Sequence, residues 1–248
     1  MQNTDQSGSF EDWPDEEDSS PENRELARTL RELGRLLPGS ASVDWEGSRR
    51  WCGDVLGEIV RSSPSTQRLV EILSGAPYFV GGDEHHVIRV SSDPNRVYKF
   101  THCDNFGCRS YFSPHDPELT GCHFHGTGNA NPFFYLRRWY LLNSLSGYQT
   151  RFEGFVPPRL AGHLPRMCIS QPEIGGENPD PREIRESLEP FGFVEISQNA
   201  FLQRETGLLL TDMAPRNVRI IDGIPVPFDA IAQIAPPAVL DWVNARLL

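Results

Sequence analysis

Apolar residues recur at helical spacing in the first third of the chain. Between residues 25 and 37, leucines stand three and four positions apart and form one apolar face, which Pro38 and Gly39 end. Similar spacing predicts two further helices, over about 46–61 and 65–73. The pattern therefore predicts a helical N-terminal extension over residues 25–75.

From Tyr78 onward the pattern changes to short runs of β-branched and aromatic residues. Three such runs, at 79–80, 87–90 and 96–100, are separated by clusters of turn-forming residues. This arrangement predicts three consecutive antiparallel strands. The stretch 101–132 shows little periodicity, which predicts a long loop or insertion.

The rest of the chain alternates between helical and strand-like patterns. Asp222 and Gly223 lie between two apolar runs, 218–221 and 225–228, and predict a two-residue β-hairpin. The other expected elements are helices over 134–145, 180–190 and 237–247, a loop over 171–178, and strands near 152–156 and 167–170. Short strands or turns are expected at 191–196, 200–203 and 208–211. This order of elements predicts an α+β chain.

Charge and composition narrow the classes of partner. The chain has 248 residues and a net charge of −11, and eight carboxylates with no Lys or Arg lie between Asp5 and Glu22. Segment 1–24 is therefore predicted to be an acidic disordered tail, and this charge disfavours a nucleic-acid partner. No signal-peptide pattern and no apolar run of roughly 20 residues is present, so we expect a cytoplasmic protein without a membrane partner. The five cysteines fit reduced thiols in such a protein.

Three oxygen-bearing side chains occur around the predicted hairpin. Asp212 and Asn217 are five residues apart with Pro215 between them, and Asp229 follows the hairpin after Pro227 and Phe228. Because a hairpin returns its two ends to one edge, Asn217 and Asp229 are expected to lie side by side. Their oxygens suit Mg²⁺, which takes few protein ligands and shares the rest with phosphates and water.

At these residues the chain resembles the protein-kinase-like superfamily, including small kinases of the aminoglycoside-phosphotransferase type. The resemblance implies that Asp212 is the catalytic base and that Asn217 and Asp229 are the Mg²⁺ ligands. It also implies that Lys99, on the third predicted strand, is a catalytic residue that pairs with the nucleotide phosphates.

Two further segments match the same superfamily. Gly81 and Gly82 stand where the phosphate-covering loop belongs, and Gln171, Glu173 and Ile174 stand where the hinge between lobes contacts adenine. More narrowly, the chain is similar to kinase-like domains of bacterial and phage polyvalent proteins. The resemblance implies a kinase-like domain over 76–248, with 101–132 as an insertion.

The fold implied by this resemblance is a reduced bilobal one, with a small antiparallel-sheet lobe and a truncated helical lobe. ATP would bind between the lobes with Mg²⁺, and the phosphate acceptor would be a protein or a small molecule. The helix at 134–145 contains no Glu to pair with Lys99, and Glu153 just beyond it is the candidate substitute.

Alternative functions remain open at this point. One is a catalytically inactive kinase-like module that binds a nucleotide or a protein, and another is a purely structural interaction protein. The insertion also concentrates metal-ligating side chains, which makes zinc an alternative cofactor. These side chains are His102, Cys103, Cys108, His115, Cys122, His123 and His125.

Overall fold

The structure is a computed structural model, and it describes residues 20–36, 53, 56–60, 65–75, 79–80, 84–102, 106–112, 124–127, 131–158 and 163–247. The helices of the described part are α1 (Pro21–Leu36), α2 (Thr66–Gly75), α3 (Pro132–Ser146), α4 (Pro181–Leu188) and α5 (Pro237–Leu247). The strands of the first half are β1 (Phe79–Val80), β2 (His85–Val90), β3 (Asp93–Thr101), β4 (Arg109–Phe112), β5 (Phe124–Thr127), β6 (Arg151–Val156) and β7 (Arg166–Pro172). Those of the second half are β8 (Phe193–Ser197), β9 (Ala200–Gln203), β10 (Leu208–Thr211), β11 (Val218–Ile221), β12 (Ile224–Pro227) and β13 (Ile231–Ile234). The chain is thus of the α+β class with antiparallel sheets, as predicted.

The chain divides into two compact units. Unit 1 comprises Met1–Gly107, Gly128–Leu136 and Gln149–Glu173, and unit 2 comprises Cys108–Thr127, Arg137–Tyr148 and Ile174–Leu248. The chain passes into unit 2 for the last time at Ile174, directly after β7. No helix of the described residues is long and apolar enough to cross a membrane.

Unit 1 is built on a five-stranded antiparallel sheet in the order β1-β2-β3-β7-β6. The predicted run of three consecutive antiparallel strands is therefore confirmed. The register sets the two faces of the sheet: Tyr98 pairs with Ile88 and Ser170. The next residue, Lys99, pairs with Val87 and Ile169 and so points to the opposite face.

Helix α2 covers the Tyr98 face of this sheet. Its Leu69 and Leu73 pack in one buried cluster with side chains of four strands, including Ile88, Tyr98 and Phe100. Burying each such side chain stabilises the fold by roughly 1.5–3 kcal/mol before the entropy of ordering is subtracted. The third predicted helix of the N-terminal extension is therefore part of the core of unit 1.

Helix α1 begins earlier than the sequence pattern predicted. Ser20 accepts a hydrogen bond from the main-chain N–H of Asn23 through its Oγ at 3.2 Å, which caps the helix so that it starts at Pro21. Residues 21–24, expected in the acidic tail, are therefore helical, while 1–19 lie outside the described residues. Of the helix predicted over 46–61, residues 53 and 56–60 are described, and they are helical.

Unit 2 contains a four-stranded antiparallel sheet in the order β13-β10-β9-β8. Helix α5 packs on it, with Val239 and Val243 in one buried cluster with Leu202 and Leu209. The expectation of a mainly helical second lobe is therefore wrong for the described residues. The sequence pattern missed β13, a four-residue strand whose apolar side chains pair with β10 rather than with a neighbour in sequence.

The insertion is also more regular than predicted. Strands β4 and β5 pair as an antiparallel hairpin within 101–132, which corrects the expectation of an irregular loop for those residues. The side chain of Gln233 on β13 donates to the main-chain O of Ser110 and accepts from its N–H, both at 3.3 Å. The Gln233 amide thus satisfies the main-chain N–H and O of Ser110 on the outer edge of the hairpin. The sequence of this hairpin shows no strand periodicity.

Local sequence signals explain the structure of residues 171–191. Gln171 and Pro172 belong to β7, so the loop predicted over 171–178 begins only at Glu173. Helix α4 begins at Pro181, after Asp180, whose carboxylate accepts from the N–H groups of Arg182 and Glu183 in a capping box. The helix is shorter than predicted because a 3-10 turn, Glu189–Phe191, follows it.

Candidate functional site

Asp212 stands at the end of strand β10 in a left-handed backbone conformation, with φ of 54°. A residue other than glycine in this region costs roughly 1–2 kcal/mol, and such residues concentrate at functional sites. The conformation is enforced by its neighbours, because Thr211 and Met213 are buried and the N–H of Met213 donates to the O of Asn199 at 3.0 Å. The Asp212 side chain is partly buried, with 44% of its surface exposed.

Asn217 closes the loop that Asp212 opens. A 3-10 turn, Pro215–Asn217, brings the side chain back, and its Nδ2 donates to the main-chain O of Asp212 at 2.8 Å. The Asn217 side chain is buried, and this bond fixes the orientation of its amide. Oδ1 is then the atom that Asn217 offers to a ligand.

The hairpin after Asn217 is the one that the sequence predicted. Strands β11 and β12 pair from Val218 with Pro227 to Ile221 with Ile224, and Asp222 and Gly223 have φ of 51° and 79°. β12 ends at Pro227, so Asp229 does not end that strand as expected but follows it by two residues. The N–H of Asp229 nevertheless donates to the O of Asn217 at 3.3 Å, which confirms that these two residues are neighbours.

Arg138 on helix α3 holds the segment that carries Asp229. Its guanidinium donates to the O of Ala230 at 2.7 Å and to the O of Asp229 at 2.9 Å, and it lies 3.9 Å from the Asp229 carboxylate. The Arg138 side chain is 2% exposed and stacks at 4.5 Å over the ring of Trp139. Sequence reasoning missed this residue, although two adjacent arginines, Arg137 and Arg138, within a largely apolar helix are a signal for a buried contact.

The charges of this group act on one another. Partial burial raises the pKa of Asp212, and the nearby Asp229 carboxylate raises it further. Arg216, at 3.3 Å from the Asp212 carboxylate, and Arg138 act in the opposite direction. Unit 2 therefore places the Asp212 and Asp229 carboxylates near each other, with the guanidinium groups of Arg216 and Arg138 beside them.

Lys99 lies in unit 1, on the central strand β3. Its side chain is 7% exposed and belongs to the face of the sheet opposite Tyr98. On that same face His85 bonds through Nε2 to the hydroxyl of Tyr135 on helix α3, at 2.8 Å. A buried lysine on a central strand fits a ligand-binding role, which stays a prediction.

Glu153 does not substitute as a partner of Lys99, so that expectation is wrong. It accepts from the Oγ of Ser170 at 2.5 Å and lies 3.9 Å from Arg68. The reason is strand alternation: Ser170 pairs with Tyr98, and both project from the face opposite Lys99.

Of the predicted hinge residues, Gln171 and Glu173 belong to unit 1. Gln171 is buried and donates to Thr150 at 3.1 Å, and the carboxylate of Glu173 pairs with Arg89 at 2.7 Å. Ile174 is the first residue of the final segment of unit 2. These bonds direct the Gln171 and Glu173 side chains toward partners in unit 1, and their role in binding adenine stays a prediction.

Several predicted ligands fall outside the described residues, namely Gly81, Gly82, Cys103, His115, Cys122 and His123. Of the remaining residues considered for zinc, His102 packs with its ring 4.3 Å from that of His86, and Cys108 is a half-buried free thiol. His125 lies on β5. The zinc alternative stays a prediction.

Comparison of the chain with protein-family models, with curated proteins and with solved structures gave no match. The function is therefore inferred from the site itself.

Proposed function

We propose that the chain is an ATP- and Mg²⁺-dependent phosphotransferase of the kinase-like type, acting on a protein or small-molecule acceptor. The observation that carries the proposal is the tie between Asp212, Asn217 and Asp229. The Asn217 side chain donates to the main-chain O of Asp212, and the main-chain O of Asn217 accepts from the N–H of Asp229. Two carboxylates and an amide oxygen are hard donors of the kind that Mg²⁺ takes.

Each residue of this group has a distinct role in the proposal. Asn217 and Asp229 would hold Mg²⁺, which supplies positive charge to the transferred phosphoryl group when it is bound. Asp212 orients the acceptor hydroxyl and takes its proton. Its raised pKa suits this role, because a stronger base accepts a proton more readily. Lys99 pairs with the nucleotide phosphates, and Arg138 keeps Asp229 in position.

A catalytically inactive nucleotide- or protein-binding module is the second candidate. Two observations favour it: the Asp212 carboxylate is paired with Arg216, and Glu153, the candidate partner of Lys99, is bonded to Ser170 instead. A base engaged in an ion pair is less available for proton transfer, so this candidate retains nucleotide binding without turnover.

The test measures nucleotide binding and turnover separately. A ligand that binds only the folded chain raises its melting temperature, so ATP with Mg²⁺ should stabilise the wild type. Asp229→Asn should lose the Mg²⁺-dependent part of that shift, and Asp212→Asn should keep it while losing transfer of phosphate from ATP to protein or solvent.

Asp222→Asn is the matched control, because it removes the same charge at an exposed hairpin turn that asparagine also accommodates. It should behave as the wild type in both assays. Nucleotide binding without Asp212-dependent turnover would establish the inactive module. Absence of any ATP-induced shift at millimolar nucleotide would refute both candidates.

A further inference from the structure

Strand β4, the first strand of the insertion, contacts the sheet of unit 2 at the end of β10. The hydroxyl of Ser110 on β4 is hydrogen-bonded to the hydroxyl of Thr211, the last residue of β10. Thr211 directly precedes Asp212. We infer that Ser110 is a positioning residue that holds Asp212 in place through Thr211, and we rest this on the proposed function, in which Asp212 is the catalytic base.

The register of the sheet shows which face β4 contacts. Gln233 pairs with Leu209, and Ile231 pairs with Thr211. Because alternate residues of a strand project to opposite faces, Leu209, Thr211 and Gln233 share one face. Helix α5 packs against Leu209 on that face. Ser110 meets the other two side chains, since its hydroxyl bonds to Thr211 and its main chain bonds to the Gln233 amide. Two side chains of the sheet thus fix the position of β4.

The hydroxyl pair is buried. Ser110 is 6% exposed and Thr211 is 2% exposed. Within the part of the chain that the structure describes, each hydroxyl has the other as its partner. A buried hydroxyl that loses its partner keeps the cost of leaving water without any compensation. The native position of the Thr211 side chain is therefore favoured only while the Ser110 hydroxyl lies beside it.

The backbone of Asp212 depends on its two neighbours. Its φ of 54° is a conformation that residues other than glycine adopt at a cost, so the surrounding structure must enforce it. On one side, the N–H of Met213 donates to the O of Asn199 at 3.0 Å. On the other side, Thr211 is held by its pairing with strand β13 and by Ser110. Loosening Thr211 would let Asp212 relax toward an unstrained backbone, which would move the carboxylate.

Amide hydrogen exchange of the full chain tests this link without any substrate. Ser110→Ala removes one hydroxyl of the pair, and Thr211→Val replaces the other with a methyl group of similar shape. Each should speed exchange of the Met213 amide by about tenfold relative to that of Leu202 in β9, as expected when a buried hydrogen bond is lost. Thr211→Ser keeps the hydroxyl and should restore most of the protection of Met213.

Ser187→Ala is the matched control. Ser187 is a buried serine of unit 2, 9% exposed, and its hydroxyl donates to the O of Ile184 within helix α4 at 2.8 Å. This variant removes the same group from another buried position and should lower the melting temperature. Its Met213 amide should exchange as in the wild type, which separates a local effect on the Asp212 backbone from a general loss of stability.

Transfer of phosphate from ATP to protein or solvent is the second readout. Ser110→Ala and Thr211→Val should each lower kcat by about tenfold and leave the KM for ATP unchanged, whereas Thr211→Ser and Ser187→Ala should keep most of kcat.

A folded Ser110→Ala chain that protects Met213 as the wild type does, or that keeps the wild-type kcat, overturns the inference and leaves the proposed function intact. If the wild type itself transfers no phosphate, the proposed function fails, and exchange at Met213 alone decides whether Ser110 holds the Asp212 backbone.

Discussion

Arg138→Met is the substitution that tests most directly how the Asp229 segment is held. Methionine keeps much of the buried stem of the side chain but removes both hydrogen bonds, to the O of Asp229 and to the O of Ala230. Ala230 is fully buried, so its carbonyl would lose its donor without gaining access to water. The Asp229 carboxylate would also lose the guanidinium 3.9 Å away.

The expected loss of stability follows from these contacts. A hydrogen bond from a charged donor contributes about 1.5–3 kcal/mol, and the stacking on Trp139 adds about 1 kcal/mol. Burial of the guanidinium offsets part of this gain, because the charge has been removed from water. We therefore expect the free energy of unfolding to fall by about 2–4 kcal/mol.

Urea-induced unfolding of the full chain measures this loss, with Arg182→Met as the control. Arg182 is 79% exposed and pairs with Glu186 one turn along helix α4, a contact worth about 0.3–0.5 kcal/mol. If Arg138→Met lowers stability by no more than this control does, the two main-chain hydrogen bonds do not hold the Asp229 segment, and the assigned role of Arg138 is wrong.

Two other predictions concern Asp212 and Asp180. Because the pKa of Asp212 is raised in the folded chain, its ionised carboxylate lowers stability above that pKa, and this penalty disappears as the pH falls through the unfolded value of about 3.9. Asp212→Asn should therefore have a higher melting temperature than the wild type at neutral pH, and the two melting temperatures should converge near about pH 3. A gain in stability that does not change with pH would instead come from the left-handed backbone conformation alone. Asp180→Ala should lower the free energy of unfolding by about 1 kcal/mol through loss of the helix cap, Asp180→Ser should restore most of it, and equal urea midpoints for all three chains would contradict the capping role.

Much of the fold was predictable because its signals are local. Strands β1 to β3, helix α3 and the hairpin at Asp222 and Gly223 each have periodicity or turn residues within a few positions of one another. Strand β13 and the hairpin of β4 with β5 were missed because their stability comes from distant partners. The pairing of β13 with β10 and the bond of Gln233 to Ser110 join residues that no sequence window contains together.

The candidate site shows the same division. The hairpin makes Asn217 and Asp229 neighbours, so spacing alone was sufficient to predict that pair. Arg138 was not predictable in this way, since its partners are main-chain carbonyls that every residue possesses. The left-handed conformation of Asp212 was hidden as well, because it follows from the burial of Thr211 and Met213 rather than from the type of residue.

The position of charges on helix α3 has a consequence for the proposed phosphotransferase. The resemblance to kinase-like proteins leads one to expect a glutamate on this helix that serves Lys99, whereas the helix carries Arg138, which serves the Asp229 segment. Glu153, the other candidate partner, belongs to the Tyr98 face, because its partner Ser170 pairs with Tyr98 and alternate residues of β3 project to opposite faces. Asp212, Asn217 and Asp229 are thus held by contacts within unit 2. This arrangement can keep the geometry of Asp212, Asn217 and Asp229 even where Lys99 contributes little. For this reason the rate of phosphate transfer by Asp212→Asn tests the proposed function more decisively than a substitution of Lys99 would.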